Sequence, residues 1–175
     1  RKRYPTLDFA VGDFHDLPHK DATVDRVSCN MGLFHASDPQ QVMAEAARVL
    51  RPQGRFAWSQ WTAPHDSELY ARLFEVMKAE ADMTRADPAP DAYALSDPAS
   101  VETMMQDAGF EAIRTRRLDT MLIAAQDDFA EFFMMFGVRV PLIVAAQEPD
   151  VQQAIKARIN ETMKPYKTDT GFEIS

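Results

Sequence analysis

Three positions along this chain combine residue types that could do chemistry: Gly12-Asp13-Phe14, Asn30-Met31-Gly32 with His35 shortly after, and Gln60-Trp61. A carboxylate such as Asp13 can accept a hydrogen bond from an exocyclic amine while the next backbone N–H donates to a ring nitrogen. An adenine edge can be read in this way without positive charge. Asp13 has an equally physical second reading, since a Gly-Asp pair is a common turn former, and Asn30 shares that ambiguity because asparagine often ends strands for backbone reasons. His35 suits acid/base work near neutral pH, or else packs as a loop histidine beside Phe34. His15 and His19 have the i, i+4 spacing of a metal pair, but Leu17-Pro18 between them excludes the helix that would aim both rings together, so no metal site is expected. Cys29, the one cysteine, sits in a strand candidate with no second thiol, which reads as a buried structural residue rather than a nucleophile. No Gly-x-Ser-x-Gly elbow occurs.

The elements that must position these residues alternate. Leu7 to Val11 is a short β-prone run, and Val24 to Cys29 is a second. Asp38 is a good N-cap, Pro39 fits the first helical turn, and Gln41 completes an Asp-x-x-Gln capping box. Val42, Met43, Ala46, Val49 and Leu50 then recur at helical spacing until Pro52. A third strand is predicted from Arg55 to Trp61. Strand, helix, strand with short links predicts an α/β domain: a doubly wound, mostly parallel, Rossmann-like sheet with crossover helices, here incomplete and carrying extra lid helices. In such sheets ligands bind beyond the carboxyl ends of the strands, where Asp13, Asn30 and His35 fall.

Further along, Ser67 to Ala86 has a helical apolar face, Asp97-Pro98 starts a helix stopped by Gly109-Phe110, and a strand is expected from Ala112 to about Ile123. Helices are expected over Asp128 to Phe136 and Pro149 to Met163, with Phe172-Glu173-Ile174 as a short strand. The cluster Phe129, Phe132, Phe133, Met134, Met135, Phe136 reads as core packing or as the wall of an apolar acceptor pocket. The whole reads as one domain over 1–175. Cofactor-side strands and a helix occupy 1–62, a helical insertion 63–97, a helix and strand 98–125, and a helical lid region 126–175.

Composition narrows the partners. The chain has 175 residues, 46% apolar and 26% charged, and a net charge of −8, which is globular and too acidic to hold a phosphate backbone. Nucleic acid is therefore an unexpected partner, and a small molecule the expected one. A single cysteine and no opening signal segment favour the cytoplasm. Phe129 to Ala146 is interrupted by Glu131, Arg139 and Pro141, short of the ~20 apolar residues of a membrane span. The six glycines lie too far apart for a Gly-x-Gly-x-x-Gly turn or a P-loop.

Gly12-Asp13-Phe14-His15-Asp16-Leu17-Pro18, Val24-Asp25-Arg26-Val27, Leu33-Phe34-His35 with Asp38, Arg48-Val49-Leu50-Arg51-Pro52-Gln53-Gly54 and Gln106-Asp107-Ala108-Gly109-Phe110 follow one another in an informative order. Together they resemble the middle of a class I S-adenosylmethionine-dependent methyltransferase, of the ubiquinone and menaquinone biosynthesis subgroup and its small-molecule relatives. The resemblance covers Leu7 to about Ile123. It implies S-adenosylmethionine as cofactor, with Asp13 and Phe14 at the adenine and Asn30 near the methionine part. It also implies methyl transfer to a small, partly hydrophobic acceptor, for which alignment matters more than a catalytic group. Phe14 replaces the family's usual alanine, His19 its phenylalanine, and Gln53 a second glycine, so local loop shape is expected to differ. The family's glycine loop and ribose-holding acid would precede Arg1. Arg1 to Tyr4 reads as the end of a helix, so the chain is expected to begin inside the domain, to stop where the family's last strand would begin and, alone, to bind the cofactor weakly or not at all and to be inactive. The competing readings are another Rossmann-like nucleotide-binding protein, such as an oxidoreductase, and a non-catalytic partner subunit.

Overall fold

The computed structural model describes residues 6–136 and 138–174. The expected helix end at Arg1 to Tyr4 lies outside them. In chain order the elements are β1 (Val24–Asn30), α1 (Pro39–Val49), β2 (Leu50–Ser59), α2 (Glu68–Glu80), α3 (Pro98–Asp107), β3 (Leu122–Ala124), α4 (Phe129–Phe136), α5 (Arg139–Ala145), α6 (Pro149–Met163), β4 (Lys167–Thr168) and β5 (Gly171–Ile174). They form two compact units, Arg1–Trp61 with Pro90–Thr115, and Thr62–Ala89 with Arg116–Ser175.

In the first unit β1 and β2 pair in parallel, Arg26 opposite Arg55 through Asn30 opposite Ser59, and α1 is the crossover between them. This is the strand, helix, strand unit expected of a Rossmann-like sheet. Asp38 caps α1 by accepting the Gln41 N–H at 3.0 Å. The capping box is only half formed, because the Gln41 amide turns away and donates to the His15 carbonyl oxygen at 3.1 Å. Val42 and Met43 of α1 pack with Leu33, Ala36, Leu95, Val101 and Met105, and Phe14, Cys29 and Trp58 lie against this core. Each large apolar side chain so buried contributes about 1.5–3 kcal/mol. Gly109 ends α3 at φ 88°, a left-handed value, with the Phe110 N–H closing on the Met105 oxygen at 3.0 Å.

Two expected strands are corrected. Leu7 to Val11 forms none, and Leu7, Phe9 and Val11 are exposed. An alternating run becomes a strand only when a second backbone pairs with it, and among the described residues none does. The strand expected from Ala112 is reduced to Leu122–Ala124. Ala112 adopts φ 52°, which breaks extension at the outset, and the arginine-rich stretch after it stays largely exposed.

Gln53 also sits in the left-handed region, at φ 68°, at the irregularity of β2 between Leu50, opposite Val24, and Arg55, opposite Arg26. The backbone there has a shape that glycine adopts freely, so glutamine carries strain at this position. Gln53→Gly is expected to raise stability by about 0.5–1 kcal/mol in urea unfolding. An unchanged or lowered midpoint would mean that the side chain offsets its own backbone cost.

The second unit buries Leu69, Leu73, Val76 and Met77 of α2 against Phe129, Phe133, Ile143, Val144, Ile155, Ile159, Met163 and Phe172. Phe129 stands 5.1 Å edge-on to Phe172 and 6.1 Å from Phe133, ring centre to ring centre, so these aromatics are core and not a pocket wall. Its sheet is antiparallel, with β5 between β3 and β4. The helix expected over Ser67 to Ala86 stops at Glu80, after which the buried Gln147 pairs with the Asp82 backbone, accepting its N–H at 2.9 Å and donating to its oxygen at 3.1 Å. That pairing satisfies a backbone that has left the helix. No helix among the described residues is long and apolar enough to cross a membrane.

Candidate functional site

The loop after Gly12 forms one wall of a shallow, open cleft lined by Gly12, Asp13, Phe14, His15, His35 and Ser37. Three of the four residues expected at a site, Asp13, Phe14 and His35, therefore line one cleft. The fourth, Asn30, ends β1 outside this lining, where its side-chain oxygen accepts the Ser59 hydroxyl at 2.6 Å and so ties the ends of β1 and β2 together. The next residue, Met31, is held at φ 52°, and its N–H reaches the Ser59 carbonyl oxygen at 3.1 Å.

Asp13 uses one carboxylate oxygen within the protein. Oδ1 accepts the His15 backbone N–H at 2.9 Å and lies 2.8 Å from the His15 ring Nδ1. The backbone bond first, and then the ring, hold the Asp13 carboxyl below the usual aspartate value. Oδ2 has no protein partner among the described residues, and the side chain is 66% exposed. The turn-forming and the ligand-binding readings of Asp13 are thus compatible, one oxygen serving each. Phe14 stacks on the His15 ring, centroids 4.8 Å apart, and the exposed His35 ring lies 4.4 Å from that of Phe34.

What holds this loop is a polar stripe on α1. Gln41 binds the His15 carbonyl, and Glu45 accepts the Leu17 N–H at 2.7 Å. Arg48 donates to the carbonyl oxygens of Leu17 and His19 at 3.2 and 2.9 Å, to both Glu45 oxygens at 2.7 and 2.6 Å, and to Asp21 at 2.5 Å. Arg48 hydrogen bonding keeps the Glu45 carboxyl below its ordinary range, and the two acids push the guanidinium further up. Positions 38, 41, 45 and 48 share one helix face, so the spacing was visible in the sequence, although nothing local says that this face meets the loop. His15 and Ser37 are site residues that the sequence reading missed. Among the described residues no group of three metal-ligating side chains comes together.

Residues 1–58 match the profile of a family described as methyltransferase domain. The chain is 34% identical to a ubiquinone/menaquinone biosynthesis C-methyltransferase of Acidiphilium cryptum over 66% of its own length and 51% of the relative's. It is 26% identical to a demethylmenaquinone methyltransferase of Renibacterium salmoninarum over 75% of its length and 60% of that protein. The chain thus spans about half to three fifths of these relatives. Among solved structures, a candidate methyltransferase of Bacillus halodurans superposes over 96% of this chain and 72% of its own, with a TM-score of 0.56 at 18% identity. The YcgJ protein of Bacillus subtilis does so over 99% and 68%, also with a TM-score of 0.56, at 16% identity. Those two likenesses establish the fold. The parallel crossover unit and the match of residues 1–58 to the methyltransferase domain family agree with that fold. Among curated proteins its similarity is to enzymes named for ubiquinone and menaquinone biosynthesis.

Proposed function

We propose that the protein transfers the methyl group of S-adenosylmethionine to a small, partly hydrophobic acceptor with quinone-like ring chemistry. The observation that carries this reading is the uncommitted Asp13 Oδ2 beside Phe14 in an open cleft, on a segment that matches the methyltransferase family. These residues fit the adenine end of the cofactor. Asp13 would accept from the exocyclic amine, the Phe14 backbone N–H would donate to a ring nitrogen, and Asn30, its side-chain oxygen engaged by Ser59, would lie near the methionine part. The cofactor supplies an electrophilic methyl group; the chain's share is to bind, align and keep order. His35, resting on Phe34 at the cleft, is the candidate base for an acceptor that must lose a proton. The acceptor class follows the names of the relatives, which act in menaquinone and ubiquinone biosynthesis. A cytoplasmic location and the exclusion of nucleic acid rest on the lone cysteine and the net charge of −8.

Asp13→Ala in the protein as its source produces it is expected to weaken S-adenosylmethionine binding about tenfold by calorimetry, the worth of a hydrogen bond to a charged group. Unchanged affinity would remove Asp13 from the site. Saturable binding of NADH in place of S-adenosylmethionine would favour the oxidoreductase reading instead.

A further inference from the structure

We infer that His15 is a positioning residue for cofactor binding, in a fixed neutral tautomer that presets the Asp13 carboxylate. The inference rests on the proposed S-adenosylmethionine site. The Asp38 backbone N–H, which can only donate, faces His15 Nε2 at 3.4 Å, and the Ser37 hydroxyl lies 3.5 Å from the same nitrogen. Nε2 is therefore the acceptor, and the ring hydrogen resides on Nδ1, where it is donated to Asp13 Oδ1 at 2.8 Å. A backbone amide at the start of α1 thus sets the tautomer, and the tautomer orients the carboxylate.

This geometry does three things for a ligand at the cleft. Oδ1 is fully engaged by the His15 N–H and ring, so the carboxylate cannot rotate freely and Oδ2 is presented in one direction. The same ring stacks on Phe14 and so limits the other wall of the cleft. The His15 carbonyl is held by Gln41, which keeps the ring within reach of Asp38. Ordering that a ligand would otherwise impose is already in place, and such preorganisation appears as affinity.

Three variants separate this role from mere packing. An asparagine side chain carries its amide N–H near the position of histidine Nδ1, whereas glutamine places its amide near Nε2. His15→Ala is expected to weaken S-adenosylmethionine binding about fivefold by calorimetry, somewhat less than loss of Asp13 itself. His15→Asn should restore affinity to within about twofold and His15→Gln should not. In an Asp13→Ala background, His15→Ala should cost less than about twofold further, the share left to its stacking on Phe14. Asparagine and glutamine variants of equal affinity, or an undiminished His15→Ala effect without Asp13, would overturn the inference. If Asp13→Ala alone leaves binding unchanged, the cofactor reading of the cleft fails first. If only the His15 variants are silent, that reading stands and the positioning role falls.

Discussion

Replacing Arg48 with methionine is expected to lower S-adenosylmethionine affinity about a hundredfold, more than loss of Asp13 alone. Methionine keeps the apolar stem and deletes the guanidinium. Two loop carbonyls lose their donor, Asp21 loses its partner, and Glu45, only 12% exposed, is left without its cation. The segment from Asp13 to Asp21 then leaves α1 as a unit, taking the carboxylate, the Phe14 N–H and the Phe14 ring with it. Hydrogen exchange should show faster exchange at Leu17, whose N–H depends on Glu45. A loop as protected as in the parent, with affinity unchanged, would refute the clamp. Acid provides a second reading. The Glu45 carboxyl titrates below its ordinary value of 4.5 in the fold, so its contribution is fully present above that pH and is lost as pH falls through the lowered value. The methionine variant should lose that part of the acid sensitivity, seen as a shallower fall of the urea midpoint below pH 4.5.

Gly171→Ala is expected to destabilise the second unit by about 3 kcal/mol or more in urea unfolding. Gly171 has φ 136°, and a Cβ there would overlap the Ala124 carbonyl oxygen and approach its carbon to 2.9 Å. β5 would have to move from β3, and with it Phe172, which closes on Phe129. Gly109→Ala is the internal comparison, since Gly109 has φ 88° but nothing within 4 Å of the added atom. It should cost only the conformational strain of about 1–2 kcal/mol. Equal losses at the two positions would show that close approach at Gly171 is not the cause.

What could be read from the sequence was what local chemistry decides. Asp38-Pro39 announces α1 because a cap and a proline act within one turn, Asp97-Pro98 starts α3 in the same way, and Ser67 starts α2 by its cap alone. β1 and β2 were readable because each carries its β-prone run beside the helix that joins them. Leu7 to Val11 has the same local character and is not a strand, since pairing is a property of two segments. That Asp13, Phe14 and His35 line one cleft agrees with the family resemblance, although the strand expected to end before Asp13 does not form. The role of His15 could not be read, because it depends on an amide of α1 that only tertiary structure brings near. Gln53 could not be read either, since nothing in its residue type announces the left-handed backbone it adopts.

Each unit is assembled from two separated stretches of chain, Pro90–Thr115 completing the first and Arg116–Ser175 the second. Vectorial synthesis therefore meets the two at different times. Every stretch of this chain that belongs to the first unit has emerged once Thr115 has. The helix α2 by then lacks most of its core partners, because Phe129, Ile155, Ile159, Met163 and Phe172 are still to come. β3 must wait for β5, since Leu122 pairs with Ile174. The apolar face of α2, with Leu69, Leu73, Val76 and Met77, is thus the surface that a nascent chain exposes longest, and the one a chaperone would be called on to shield.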